Sequence, residues 1–480
     1  MGSYFDGFDF EGIHEKSKEL LLRPKTLSEE ARNRYLEYFE SRCAGSRASI
    51  EAAREHIPGG IQHNLANNHP FGLNCVRAEG AYLYDIDGNR YIDFLQAGGP
   101  TILGNNYRPV RDAVIKTLNS TGNLTGLFGE FEVDLAKKVK QYYPSVDLFR
   151  MLASGTEAAM IAIRLARAFT GKSKILKING CYHGWSDQLL YDMRSVNTRN
   201  MFAAGVPDEC LAQISSVYPN DLGELEQRFA ENEQQGGMAA FLMEPIGQDS
   251  GALPIKKEFH QRARELCDRY GALLIYDEVV TGFRLGFGGA QEFYGVRPDL
   301  TMFGKSIAGG FPGAGAIGGR SEIMGLLSSG IATVGNNVMV GGTLTANPIS
   351  CVAGYTTICE LERTGAHAKL KTAADNITRE IAALADRYAI PAAIYNQHSI
   401  LHIDLCGMQH LTSHIDDDQI MENMFDLLAS ADQNMKEFAM ALAAEGLIIA
   451  GGNKTFISLD TIGIADEALE RFDRVFAGYE

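Results

Sequence analysis

Three places in this 480-residue chain combine residue types and surroundings that could do chemistry. Lys305 stands in MFGKSIAGGFP, after an apolar run over 299–303 and ahead of a glycine-rich loop. Flanked by Phe303, Gly304 and Ile307, its amine would be partly desolvated, which favours the neutral, nucleophilic form. Taken singly, such a lysine is more often a surface residue whose stem lies along apolar neighbours. Asp277 ends the apolar run of LLIYDEVVTGFR. The end of a buried strand is where open α/β sheets present ligand contacts. A carboxylate there stays ionised only when a cation or hydrogen-bond donors compensate it, and a protonated pyridine nitrogen is such a cation. A cap on the following turn would explain it equally well. Residues 153–157 read ASGTE, a small-residue turn entering a helix. Its free N–H groups and the helix dipole favour an anion, and the hydroxyls of Ser154 and Thr156 beside Gly155 add donors. An ordinary N-cap by Ser154 uses the same residues. Glu278 and Arg284 read as structural, paired with each other or with loop backbone.

The three places gain meaning together. Asp277 and Lys305 lie 305 − 277 = 28 residues apart, with the anion-type turn upstream. A carboxylate, an amine and an anion cradle match the ring nitrogen, the aldehyde and the phosphate of pyridoxal phosphate. In that arrangement Lys305 holds the aldehyde as a Schiff base and later shuttles a proton on the substrate carbon.

The surrounding pattern supplies elements able to position them. From about 105 to 320 helix and strand alternate. Helical periodicity over 156–169 sets Ala159, Ile163, Ala166 and Phe169 near one face. Ile175–Ile178, Ala239–Met243 and Ala272–Tyr276 read as apolar strands covered on both faces by helices. The implied class is α/β. Residues 1–45 read as an arm, with Thr26 and Glu29 at capping-box spacing ahead of a helix over Ser28–Ser41. GAYLYDIDGNRYIDF, residues 81–95, reads as a hairpin turning at Asp87 and Gly88. Beyond 346, long helices (about 347–363, 368–388 and 418–445) with few strands suggest a smaller α+β lobe. The expected divisions are 1–95 (arm and hairpin), 96–345 (large cofactor domain) and 346–480 (small domain).

Eight motifs in order then carry a resemblance: PGG (58–60), the 81–95 hairpin, ASGTEA (153–158), CYHGWSD (181–187), EP (244–245), YDEVVTGFR (276–284), FGKSIAGGFPGAGAIGG (303–319) and GGTLTANP (341–348). The chain resembles the class III pyridoxal-phosphate-dependent aminotransferases, and within them the glutamate-1-semialdehyde aminomutase branch. That resemblance implies the fold-type-I architecture, with a mixed, mostly parallel seven-stranded sheet between helices. It implies that Gly155 and Thr156 bind phosphate and that Asp277 holds the ring nitrogen. Tyr182 would stack on one ring face, with His183 supporting its loop, and Val279 would press the other face. Glu244 joins the expected cofactor contacts. Thr343 would reach the phosphate in a neighbouring subunit, so a homodimer is implied.

The function expected is transfer of an amino group from an amine or amino acid to a keto acid, ketone or aldehyde. Intramolecular transfer by an aminomutase is the alternative, and a non-catalytic dimeric homologue the second. The aminomutases carry an Arg shortly after PGG, where this chain reads IQHNLANN with His63. Near their C-terminal-loop Glu it has Asn453 and Lys454. Losing a bidentate clamp for a substrate carboxylate favours the aminotransferase reading. The substrate would then hold its carboxylate elsewhere, as a β-amino acid does, or have none.

Composition narrows the partners. Lys plus Arg is 44 and Asp plus Glu 60, a formal charge of −16, which disfavours nucleic acid and anionic membrane. Eight cysteines without a C-x-x-C pair, and no basic flank with an apolar run at the start, suggest reduced thiols and a cytoplasmic protein. Gly313, Gly315 and Gly318 match G-x-G-x-x-G but lack a strand–helix dinucleotide unit. His410 and His414 are spaced four apart without a third metal ligand, so no metal is expected.

Overall fold

The computed structural model describes residues 8–66, 68–122, 124–193, 203–328, 337–408, 410, 413 and 417–479. They divide into two compact units, one mainly of 108–364 and the other mainly of 11–107 with the described part of 365–479.

In the second unit β1 (Cys75–Glu79), β2 (Tyr82–Asp85) and β3 (Arg90–Asp93) form an antiparallel meander. The expected hairpin is its β2–β3 pair, with Tyr82 opposite Ile92. Asp87 at the turn accepts from the N–H groups of Gly45 and Ser46. The arm helix Glu29–Arg42 is capped by Ser28, whose hydroxyl accepts from Ala31 N at 3.2 Å. That corrects the capping box placed at Thr26: the chain turns helical two residues later, so the hydroxyl at the right distance belongs to Ser28.

The first unit is built on β4 (Leu148–Leu152), β5 (Lys174–Ile178), β6 (Ile214–Val217), β7 (Met238–Met243), β8 (Leu273–Glu278), β9 (Leu300–Gly304) and β10 (Gly315–Gly319). They lie in the order β4-β10-β9-β8-β7-β5-β6. β10 runs against both β4 and β9, and the other neighbours are parallel. Apolar runs rather than alternation are required because both faces are covered. Ile175, Leu242 and Ile275 pack beneath the helix Gly155–Thr170. Leu176, Phe241 and Leu274 face the opposite layer with Phe229 and Phe259. Each such side chain contributes about 1.5–3 kcal/mol on burial. Ala159, Ile163 and Ala166 are buried as the periodicity requires, but Phe169, in the last turn of the helix, is 40% exposed.

The remaining strands return to the second unit. β11 (Ala393–Gln397), β12 (Ile400–Asp404) and β14 (Lys454–Phe456) form a small antiparallel sheet, and β13 (Leu447–Ile448) adds to β3 in parallel. The helices Pro348–Thr364 and Ala366–Arg387 match the expected pair. The helix expected over 418–445 is instead two, Asp418–Glu422 and Met424–Ala444, separated at Asn423. Among the described residues no helix is long and apolar enough to cross a membrane.

Candidate active site

The parallel strands place their C-terminal ends along one edge, and the expected residues emerge there. Asp277 lies opposite Met302 on the neighbouring strand, three residues before Lys305. Gly315, at the start of β10, pairs with both Gly304 and Leu152, so Lys305 and the turn at Ser154 leave the sheet on either side of one strand. Strand register thus brings the amine, the carboxylate and the helix start to one rim.

Close packing ties them together. A side chain on Gly155 would meet the Val279 methyls at 3.0 and 3.1 Å, and one on Gly304 would meet Val279 Cγ1 at 2.6 Å. Val279, half-buried, therefore seats against both the helix start and the residue before Lys305. Ser306, beside Lys305, donates its hydroxyl to the Gly282 carbonyl at 2.7 Å, stitching the lysine's turn to the loop that follows Asp277. Lys305 is half-buried with φ of 49°. That left-handed backbone costs a non-glycine residue about 1 kcal/mol or more and is found at functional sites.

Ser154 caps the helix Gly155–Thr170, accepting from Glu157 N at 3.2 Å, and the Glu157 carboxylate returns to Ala153 N at 2.8 Å. The ordinary N-cap reading is therefore correct. It still leaves the first-turn N–H groups of a 16-residue helix at the rim, and with them the Thr156 hydroxyl. The loop of Tyr182 and His183 closes over this turn. Gly184 (φ 89°) lies so near Thr156 that a side chain would meet its Oγ1 at 2.5 Å.

The principal electrostatic feature is the pair His183 Nδ1–Asp277 Oδ2, at 2.7 Å and 94 residues apart. Asp277 Oδ1 accepts from Val279 N at 3.1 Å. Burial pushes the His183 imidazole below its ordinary pKa, partly opposed by Asp277. A neutral His183 thus donates Nδ1–H to the carboxylate, and among the described residues its buried Nε2 has no hydrogen-bond partner. Tyr182 presents its ring outward, 43% exposed. Glu244 is buried, and its oxygens accept from Tyr182 N at 2.8 Å and Ser250 N at 3.1 Å. Burial, with Asp277 nearby, pushes it up to about 7. Thr343 stands exposed in the turn before the helix Pro348–Thr364, outside this hydrogen-bonded cluster. Glu278 is bonded to loop groups, the hydroxyl of Thr281 and the backbone N–H groups of Ala290 and Gln291.

Two features escape sequence reasoning. The contact of His183 with Asp277 joins a loop to the end of a strand 94 residues away, and no local spacing announces it. Lys177 lies inside the strand read as apolar over Ile175–Ile178 and is fully buried. A lone charge in a strand covered on both faces was the available signal. Among the described residues no cluster of three or more His, Cys, Asp or Glu is placed to hold a metal, and His414 lies outside them.

The same architecture occurs in known enzymes. An omega-transaminase from Sphaerobacter thermophilus is 28% identical, covers 92% of this chain and 98% of its own, and superposes with a TM-score of 0.81. A beta-phenylalanine aminotransferase from Variovorax paradoxus is 26% identical over 93% of this chain and 96% of its own, with a TM-score of 0.77. A glutamate-1-semialdehyde-aminomutase from Pseudomonas aeruginosa PAO1, at 23% identity over 94% and 98% with a TM-score of 0.79, shares the fold. The aminotransferase class-III family model matches residues 64–476, a span that includes Asp277, Lys305 and every residue clustered at the rim, and the chain belongs to that family.

Proposed function

We propose that this enzyme is an aminotransferase that seats pyridoxal phosphate at the rim and moves an amino group from an amine or amino acid to a keto acid, ketone or aldehyde. Enzymes of the family depend on that cofactor. The observation that carries the reading is the setting of Asp277, a buried carboxylate at the rim whose two hydrogen-bond donors are the Nδ1–H of His183 and the N–H of Val279. Its carboxylate is buried, and its ion-pair partner among the described residues is His183, which burial keeps neutral. Neutral donors hold a buried carboxylate, and a cation strengthens that hold further. A protonated ring nitrogen would supply the cation, with Lys305 one strand away for the aldehyde and the helix start beyond it for the phosphate.

When bound, the cofactor supplies an electron-withdrawing ring that acidifies the substrate C–H. The chain's own groups do the rest. Asp277 keeps the ring nitrogen protonated, and His183 fixes the carboxylate's orientation from behind. Val279 supports one ring face and Tyr182 covers the other. The first-turn N–H groups around Gly155, with Ser154 and Thr156, hold the phosphate. Lys305 Nζ would anchor the cofactor and would hold and move a proton at the substrate carbon. Glu244 holds the Tyr182 loop by its backbone. Thr343 serves the phosphate of a partner subunit, making the working form a homodimer.

His63 in place of the aminomutase Arg, and likeness to enzymes named for omega-amines and beta-phenylalanine, favour a donor without an α-carboxylate. The test is a donor panel on the purified protein, read by cofactor absorbance and keto-product formation, with Lys305→Ala as control. Amine-dependent bleaching with release of a carbonyl product is expected, and its loss in the variant. Undiminished turnover by Lys305→Ala refutes the assignment. Exclusive conversion of glutamate 1-semialdehyde, with no carbonyl released, would mark an aminomutase instead.

A further inference from the structure

Lys177 is a buried charge that the steps above do not use. It lies in β5, the strand next to the sheet's edge, between β6 and β7, and is fully excluded from solvent. Removing an ammonium from water costs several kcal/mol unless fixed partners replace the water. The strand's ladder needs no side chain at this position, and an aliphatic residue would pack there without that penalty. Burial pushes the amine down to about 8.

What Lys177 holds is the loop of Tyr182. Its Nζ donates to the carbonyls of Cys181 and Tyr191, each at 2.8 Å, closing the neck of the loop. The neck is also zipped by Gly180 N to the Asp192 carbonyl at 3.0 Å. The carbonyl of Cys181 and the N–H of Tyr182 belong to one peptide unit. Lys177 grips its oxygen from the sheet side, and Glu244 accepts its N–H at 2.8 Å. A buried ammonium and a buried carboxylate thus take opposite ends of the peptide that leads into the Tyr182 ring. Rotation of that peptide plane would break both contacts at once.

We infer that Lys177, acting with Glu244 through the Cys181–Tyr182 peptide, is a positioning residue that sets the Tyr182 ring over the cofactor. The inference rests on Tyr182 stacking on the cofactor, as proposed above. If Lys177 served only the stability of the sheet, replacing it would lower the melting temperature of the protein without weakening the cofactor's hold through Tyr182.

The experiment is a double-mutant cycle on the full-length protein: Lys177→Met, Tyr182→Ala and the pair, with Lys177→Arg as the conservative variant. Apo-protein is titrated with pyridoxal phosphate and followed by quenching of Trp185, the single tryptophan, which lies in the same loop. Circular dichroism of the bound cofactor gives a second readout. Lys177→Met is expected to weaken binding by about tenfold, the upper end of what a well-placed aromatic ring contributes. It should also reduce the cofactor's dichroism, with much of both restored by Lys177→Arg. In the Tyr182→Ala background the same substitution should add less than about twofold, since coupled residues are not additive. Wild-type affinity and dichroism in Lys177→Met, with Tyr182→Ala impaired, overturns this inference and leaves the aminotransferase reading standing. Full additivity overturns it too. A Tyr182→Ala protein that binds like wild type removes the stacking role itself, and the inference with it. Should Lys177→Met not fold, Lys177→Gln, which keeps two N–H donors without the charge, carries the same comparison.

Discussion

Replacing Asp277 by Asn isolates the charge at the centre of the site while leaving its shape. In the native protein the two oxygens accept from His183 Nδ1 and Val279 N, at 2.7 and 3.1 Å. An amide presents one oxygen, so one of these donors must face an NH₂ group. The alternative is for His183 to switch tautomer, placing a proton on a buried Nε2 that has no partner among the described residues. Either outcome leaves a buried polar group unsatisfied, at about 1–3 kcal/mol. That loss is common to the apo and cofactor-bound forms and therefore drops out of the binding constant. What appears only on binding is the contact between a carboxylate and a cationic ring nitrogen, about 1.5–3 kcal/mol for a charge-assisted hydrogen bond. Asp277→Asn should accordingly raise the dissociation constant for pyridoxal phosphate about 10- to 150-fold, with turnover falling at saturating cofactor as well. Trp185 makes the titration direct, because it is the single tryptophan and lies two residues from His183. A folded Asp277→Asn protein with native cofactor affinity and turnover would refute the idea that this carboxylate awaits a cation.

Three further outcomes follow from the packing. Gly304→Ala sets a methyl 2.6 Å from Val279 Cγ1; it should destabilise the protein by about 1–3 kcal/mol and weaken cofactor binding, seen by denaturant titration and by Trp185 quenching. Ser306→Ala leaves the buried Gly282 carbonyl without its hydroxyl; about 1–2 kcal/mol of stability should be lost, and single-turnover rates should fall more than substrate affinity. Thr343→Ala should bind cofactor weakly as a homodimer, whereas mixed dimers with Lys305→Ala subunits should regain native affinity at one site. No recovery on mixing would exclude a phosphate contact across subunits.

Much of this site is legible in the residues because chemistry and position coincide. Asp277 and Lys305 each end an apolar run long enough for one buried strand, and Ser154 stands before a helix whose periodicity is plain. The errors have equally local causes. Spacing alone favoured Thr26 as a cap, but the backbone enters the helix after Ser28. Phe169 obeys the helical period yet lies exposed in the last helical turn. The apolar reading of Ile175–Ile178 absorbed Lys177, because three aliphatic residues of four dominate any average.

The choice of candidate reacting groups and the covered nature of the sheet rest on residue type and periodicity, so a linear reading can propose them. Adjacency is different in kind. Asp277 and Lys305 reach the same rim because β8 and β9 pair in parallel with one register, and a shift of one residue would turn the carboxylate to the other face. His183 meets Asp277 across 94 residues, and Lys177 reaches two carbonyls of a loop beyond its own strand. Such contacts depend on how strands and loops pack in three dimensions, and no spacing along the chain encodes the distance between them.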